Sequence, residues 1–573
     1  MTEPPLIVQA DRTVLLETTH PEYEAARDRL ARFAELEKSP EYVHFYKITP
    51  VSCWNAAALG ERADEVCDWL VRASRFPVAP PVLAQIREWF RRYGLLRLVP
   101  GRGGRLVLQC DDAATLAVLL AQPTFAALVE SDDGASVAVA AANRGLVKQT
   151  LVRLGYPVDD RAGYRDGDRL AFGLRQADVG APGFRLRDYQ AAAAGAFHAG
   201  GSDRGGCGVV VLPCGAGKTV VGIAAMQLLQ TNTLVLTTNT VAVRQWIREI
   251  LARTTLGPDE IGEYTGEQKH VRPVTVATYQ ILTHRKGKLD GFTHMDLFDR
   301  GGFGLVVYDE VHLLPAPVFR ATAGIQARRR LGLTATLVRE DGRADEVFSL
   351  IGPKRYEVPW KLLERQGFLA VARCFEVRVP LPPAQAETYA AAGARTQIRV
   401  AADNPDKLAV VGALLRRHAG DRVLVIGQYL EQLQQLAQRH GLPLMTGQTP
   451  QAERDRLYAA FRAGEVPRLV VSKIGNFAVD LPDANVAIEV SGTFGSRQEE
   501  AQRLGRILRP KADGRPASFY TLVSADTREQ EFARKRQLFL TEQGYAYEIV
   551  HAAEMQAADA QDDAADGCEE RRA

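Results

Sequence analysis

Residues 208–226 read GVVVLPCGAGKTVVGIAAM, and three different backbone demands follow one another within them. The β-branched run GVVVL makes a buried strand, PCGAGKT is a loop of small residues ending in a lysine and a threonine, and VVGIAAM continues as a helix. Such a loop turns backbone N–H groups and a helix N-terminus toward an anion. Lys218 adds a point charge, and the Thr219 hydroxyl can ligate Mg²⁺. The full pattern has a glycine where this chain has Leu212, so the flanking strand and helix carry the reading as much as the letters do. Pro213, Cys214, Gly215, Ala216, Gly217, Lys218 and Thr219 are the candidate phosphate-binding residues.

Working outward, the same alternation of β-branched runs and helical patterns continues on the C-terminal side. TLVLTT (233–238), VTVATY (274–279), GLVVYD (304–309) and RRLGLTAT (329–336) complete one series. VLVIG (423–427), RLVVS (468–472), VAIEV (486–490) and SFYTLV (518–523) form another. Alternation of this kind means parallel α/β sheets, so two similar domains are expected over 181–362 and 363–550. The first 180 residues differ. LIVQ and TVLLE suggest a small hairpin, residues 20–39, 55–74 and 80–94 have helical spacing, and RLVLQ (105–109) and ASVAVAA (135–141) are short strands. The expectation is an N-terminal α+β domain over 1–100, a small α/β accessory domain over 101–180 as a candidate DNA- or damage-recognition module, and a Gly/Asp-rich linker near 159–183. Trp69, Ile86, Trp89 and Phe90 are expected in the core.

At 573 residues the chain is too long for one hydrophobic core. Hydrophobic residues make up 46% and charged residues 24%, no apolar run is long enough to span a bilayer, and no signal-peptide pattern opens the chain. A cytoplasmic monomer is therefore expected. The seven cysteines contain no CxxC pair, which argues against a zinc site or disulfide framework. The net charge of +2 hides an acidic tail: residues 551–573 carry −5, so the rest carries +7. That is too mild for nucleic-acid binding to be argued from charge alone, and the tail reads as disordered and solvated.

Asp309 and Glu310 stand together at a strand end in YDEVH (308–312). Neighbouring strand residues point in different directions, so one carboxylate can hold a metal while the other deprotonates a water. Arg187 and Gln190 precede the first α/β domain, and a glutamine amide can read adenine. In EEAQRLGRILRPK (499–511), Arg503, Arg506 and Arg509 recur at three-residue steps and are expected near one helix face, where guanidinium forks suit a transferring phosphoryl group. Finally, LGLTATLVRED (331–341) runs from an apolar strand into three consecutive charges with no turn residue between.

In this order, RDYQ, LPCGAGKT, TTNTVAVRQW, VATYQIL, YDEVHLLPAPVFR, LGLTATLVRED, VIGQYL, VSKIGNFAVDLP and SGTFGSRQEEAQRLGRILRPK resemble the motifs of superfamily 2 helicases, and in spelling the XPB branch of bacterial type. The resemblance implies two tandem RecA-like domains and an ATP- and Mg²⁺-dependent 3′–5′ DNA helicase or translocase of repair or transcription, with DNA, a repair nuclease or the transcription machinery as partners. It implies that Arg187 and Gln190 touch adenine, Gly215 to Thr219 the phosphates, Thr219 and Asp309 the Mg²⁺, and Glu310 the water. Asp480 would approach the ribose, and Gln502, Arg506 and Arg509 the γ-phosphate. Thr238, Asn239, Thr240, Thr278, Gln428 and Ser472 fall in motifs that track a DNA strand, while Thr334, Thr336 and the triplet Arg339, Glu340, Asp341 couple hydrolysis to movement. A thumb-like insertion of the family would fall in residues 381–405. A second reading keeps ATP turnover but makes the protein an assembly factor on DNA, its ATPase a conformational switch with little strand separation.

Overall fold

The computed structural model describes residues 3–555 apart from 40–41, 135, 163–165, 176–183, 203–204, 283, 285–293, 295–296, 314–328, 336–343, 473–483, 493–499, 501–502, 506 and 509–514. The acidic tail beyond 555 and eight of the expected site residues lie outside this set: Thr336, Arg339, Glu340, Asp341, Asp480, Gln502, Arg506 and Arg509. By internal contacts the chain divides into two units, Met1–Pro213 with Gly217–Val358, and Cys214–Ala216 with Pro359–Ala573.

The first unit opens with the expected hairpin. Strands β1 (Leu6–Val8) and β2 (Thr13–Glu17) pair antiparallel with Leu6 opposite Leu16. β3 (Glu35–Lys38) and β4 (Val43–Lys47) complete a sheet in the order β1-β2-β4-β3. This corrects the helical reading of 20–39. The helix covers only Tyr23–Leu30, and ELEK is an edge strand with Leu36 alone turned fully inward. Helices Pro50–Ala58, Ala63–Ala73 and Pro80–Arg92 follow. The first is set by a capping box in which Ser52 N–H donates to Thr49 Oγ1 at 3.1 Å and Thr49 N–H to Ser52 Oγ at 3.0 Å. Ile86, Trp89 and Phe90 are buried as expected, while Trp69 stays partly exposed, edge-on to Phe33.

A second sheet contains β5 (Leu96–Pro100), β6 (Leu106–Cys110), β7 (Val129–Asp132), β8 (Ser136–Val139) and β9 (Val158–Asp160) in the order β7-β8-β6-β5-β9. The Asp160 side chain at its edge, 7% exposed, is paired with Arg144 at 2.6 Å and Lys148 at 3.0 Å, both on helix Arg144–Arg153. Burial alone would raise this carboxyl, but the two cations hold it well below the usual carboxylate range. Residues 166–175, within the expected linker, are no slack tether. Leu170 and Phe172 are buried, and the Gln230 amide exchanges hydrogen bonds with the Phe172 backbone at 3.0 and 2.7 Å.

The third sheet is wholly parallel: β10 (Cys207–Val211), β11 (Thr233–Thr237), β12 (Ile261–Tyr264), β13 (Val274–Thr278), β14 (Leu305–Asp309), β15 (Arg329–Thr334) and β16 (Lys354–Glu357), in the order β12-β13-β11-β14-β15-β10-β16. Register places Thr237 opposite Thr278, Asp309 opposite Leu333 and Val211 opposite Thr334, so the C-terminal strand ends share one rim.

The second unit repeats the plan with β17 (Ala372–Val379), β18 (Val423–Gly427), β19 (Leu444–Met445), β20 (Arg468–Ser472), β21 (Val486–Glu489), β22 (Ala517–Ser524) and β23 (Tyr547–His551). Their order is β19-β20-β18-β21-β22-β17-β23, again all parallel. Between β17 and helix Asp406–Arg417 the chain makes two short helices, Pro383–Ala391 and Ala394–Ala402, the first with no buried residue. No helix among the described residues is long and apolar enough to cross a membrane.

Candidate nucleotide site and nucleic-acid rim

In parallel α/β sheets ligands bind outside the carboxyl ends of the strands, and the first unit gathers its chemistry there. Beyond β10 the loop needs its glycines: Gly215 has φ 83° and Gly217 φ 81°. A Cβ on Gly217 would also lie 2.6 Å from Gln190 Nε2. Gln190 is thus set against the start of helix Lys218–Leu229, and its Oε1 accepts the Arg187 N–H at 3.0 Å. Arg187 donates to the Tyr189 hydroxyl at 3.1 Å. The loop is tied to its neighbouring strand by Leu212 N–H, which donates to the Thr334 carbonyl at 3.0 Å.

The acidic pair ends β14. Glu310 has φ 48°, a left-handed conformation that costs a side-chain-bearing residue about 1–3 kcal/mol. Glu310 Oε1 meets Lys218 Nζ at 2.7 Å. Asp309 instead accepts neutral donors, Trp246 Nε1–H at 2.9 Å and the Glu310 N–H at 3.1 Å, and makes no ion pair among the described residues. Burial raises its carboxyl to about 6, the neighbouring Glu310 charge adds to the shift, and Lys218 opposes it. A strand-end carboxylate that makes no ion pair among the described residues, together with the Thr219 hydroxyl at the end of the loop, is an oxygen donor set that suits a hard divalent ion such as Mg²⁺. His312 Nδ1 lies 2.6 Å from Thr334 Oγ1 and 3.6 Å from Glu310 Oε2, so the Glu310 carboxylate, the histidine and the end of β15 form one chain of contacts.

The remaining described candidates occupy the rims. Asn239 Oδ1 accepts the Ala242 N–H at 2.9 Å, capping helix Thr240–Arg253, and its Nδ2 reaches Thr238 Oγ1 at 3.2 Å. The Gln280 amide donates to the Thr238 carbonyl at 2.7 Å, whereas Thr278 is buried within its sheet. In the second unit Ser472 stands opposite Gly427, and the Gln428 N–H donates to Ser491 Oγ at 2.9 Å.

The expectation that Arg503 meets a transferring phosphoryl group needs correcting, while the face it was expected to share with Arg506 and Arg509 lies outside the described residues. Arg503 is buried, paired with Glu489, and lies 3.9 Å from Glu500. Arg536 comes within 3.5 Å of both carboxylates, and the Tyr547 hydroxyl donates to Glu500 at 3.0 Å. Burial, and next the Glu489 charge, push the Glu500 carboxyl up, while the two arginines oppose the shift. Arg503 is therefore an internal anchor of this segment. Trp246, Tyr279, whose hydroxyl donates to the Asp309 carbonyl at 2.7 Å, and His312 are site residues that sequence reasoning missed.

Three family models match the chain: "ERCC3/RAD25/XPB C-terminal helicase" over residues 363–572, "Type III restriction enzyme, res subunit" over 183–339, and "Helicase conserved C-terminal domain" over 6–131. The last falls on the N-terminal region, including its antiparallel four-stranded sheet, and not on either parallel sheet. Similar proteins include the DNA 3′-5′ helicase XPB of Kineococcus radiotolerans, 53% identical over 557 residues that cover 96% of this chain and 97% of the relative. The DNA 3′-5′ helicase XPB of Mycobacterium tuberculosis is 52% identical over 551 residues, 96% of this chain and 98% of the relative. The general transcription and DNA repair factor IIH helicase/translocase subunit XPB/SSL2 of Saccharomyces cerevisiae is 32% identical over 612 residues, 95% of this chain and 72% of the relative. Two parallel α/β sheets, a glycine-containing strand-to-helix loop and an acidic strand-end pair agree with these relatives and family models, which make the chain a helicase of superfamily 2. Within that class the chain belongs to the XPB family.

Proposed function

We propose that the protein is an ATP-dependent 3′–5′ DNA helicase or translocase acting in repair or transcription, with ATP as fuel and sequence-independent DNA as its track. The observation that carries this reading is the rim of the third sheet, where the phosphate loop, Asp309, Glu310, His312 and Thr334 are joined through Lys218 and Leu212. Thr219 and Asp309 would hold Mg²⁺, which supplies charge neutralisation on the phosphates. Lys218 leaves Glu310 for the β- and γ-phosphates, and Glu310, once released, takes the proton of the attacking water. His312 carries the resulting change at Glu310 to Thr334 and so to β15. In this reading 181–362 and 363–550 act as the two motor domains, with 1–100 and 101–180 as appended domains. Strand displacement measured beside DNA-stimulated ATPase tests it: hydrolysis without displacement favours a conformational switch on DNA.

Two variants probe residues known only from their sequence motifs. Arg506→Ala should depress DNA-stimulated hydrolysis by about 10²-fold while nucleotide affinity changes little, because an arginine supplied to the γ-phosphate acts on the transition state. A variant that keeps its DNA stimulation makes Arg506 a surface charge. Replacing Arg339, Glu340 and Asp341 together with alanine should leave much of the basal ATPase and sharply reduce unwinding of a tailed duplex. Equal losses in both would remove their separate coupling role.

A further inference from the structure

The two elements that follow β15 are held by the N-terminal region. Phe348, on helix Ala344–Leu350, is buried with Trp54 and Val152, its ring centroid 5.8 Å from that of Trp54 and 6.5 Å from that of Tyr93. Trp54 comes from helix Pro50–Ala58, Tyr93 follows helix Pro80–Arg92, and Val152 comes from helix Arg144–Arg153, so three separate N-terminal helices converge on one side chain of the ATPase domain. Arg153 lies 3.7 Å from Glu346 on the same helix. The neighbouring residue Asn55 accepts the Lys354 N–H at 3.0 Å, pairing part of the otherwise open edge of β16.

Both elements lead straight to the nucleotide rim. Buried Arg330 in β15 donates to the Leu350 carbonyl at 2.7 Å, joining the helix that carries Phe348 to the strand that ends in Thr334. β16 pairs with β10, the strand that feeds the phosphate loop, and Val358 N–H donates to the Val211 carbonyl at 3.3 Å. Packed interiors resist compression, so a displacement at such a contact is passed on and not absorbed. The seat is apolar and aromatic on the side facing the N-terminal region, and it lies outside the nucleotide rim.

Resting on the helicase reading above, we propose that the seat of Trp54, Tyr93 and Phe348, together with the Asn55–Lys354 hydrogen bond, is a positioning site of the motor. It fixes the N-terminal region to β15 and β16 so that load on that region and the nucleotide state at the phosphate loop act on each other. Phe348 and Trp54 are positioning residues that touch neither nucleotide nor DNA.

Full-length protein would be compared with Phe348→Ala, Trp54→Ala and Asn55→Ala, with Phe348→Leu and Trp54→Phe as conservative partners. Expected for the first three are basal ATPase and ATP KM within about twofold of wild type and unwinding of a tailed DNA duplex reduced tenfold or more, largely restored in the conservative variants. The double variant Trp54→Ala/Phe348→Ala should lose no more than either single one. A DNA-free arm uses amide hydrogen exchange with a non-hydrolysable ATP analogue and Mg²⁺: protection of residues 50–58 should change in wild type and stop changing in Phe348→Ala. A change at the phosphate loop with none at 50–58 overturns the seat and leaves the helicase reading standing. No change at the phosphate loop overturns both. Unwinding and basal ATPase falling together, with melting temperature unchanged, would also overturn it. Asn55→Ala creates no cavity in the aromatic seat, so it distinguishes lost positioning from lost folding.

Discussion

Lys218→Ala should bring ATP hydrolysis to background, a loss of about 10²–10³-fold on the scale of removing one preorganised charge from a transition state. The effect is large because Lys218 has two jobs in sequence. Its ammonium pairs with Glu310 at 2.7 Å, and in the proposed function the same group becomes the point charge on the bound phosphates. Its loss would weaken phosphate binding, remove an ion pair from the Glu310 carboxylate, and remove a cation that restrains the upward shift of Asp309. Phosphate release measured with saturating single-stranded DNA, alongside a thermal melt to establish folding, checks it. Turnover close to wild type in the folded variant would mean that PCGAGKT does not bind the transferring phosphates.

Glu310→Gln separates binding from chemistry. The amide keeps the shape at the end of β14 and removes the carboxylate proposed to accept a proton from water, so the chemical step should slow by about 10²-fold or more. ATP binding should persist or tighten, since Lys218 no longer faces a full charge that competes with the phosphates. Single-turnover hydrolysis and binding of a labelled non-hydrolysable analogue provide the two readouts. Unchanged hydrolysis, or lost analogue binding in a folded protein, would remove Glu310 from the role of base.

The parallel sheets were readable because their central strands are buried on both faces and therefore spelled as unbroken apolar runs, VLVIG and VTVAT among them. Edge strands have no such constraint. β16 is KRYE, partly exposed at every residue, and β3 is ELEK; neither has an apolar run to find. The strand–loop–helix over 208–226 and the Asp309–Glu310 strand end were legible because a tight loop demands glycine at positive φ and an unbroken apolar run marks the strand that the acidic pair ends. Arg503 misled for the opposite reason: three-residue spacing describes a helix face but does not say which arginine meets a buried glutamate, and Glu489 and Arg536 come from distant parts of the chain. His312 was visible within DEVH, two positions beyond Glu310, but its partner Thr334 is supplied by the neighbouring strand and only the sheet order brings them together. Trp246 is likewise supplied to Asp309 from another element, at a sequence separation of 63.

The Asn55–Lys354 hydrogen bond spans 299 positions of chain, and that separation has a consequence for biogenesis. At about 5–20 residues per second, a ribosome takes roughly 15–60 s to travel from one partner to the other. That is ample time for the antiparallel N-terminal sheet and its helices to fold before β16 is made. The last strand of the ATPase sheet thus emerges to find both its neighbour β10 and a finished surface for its outer edge. A fragment beginning near residue 181, the tidy motor that a sequence-based dissection would choose, would be born with that edge bare and Phe348 in water. It should self-associate through β16, and its insolubility would reflect a missing folding template more than a defective motor.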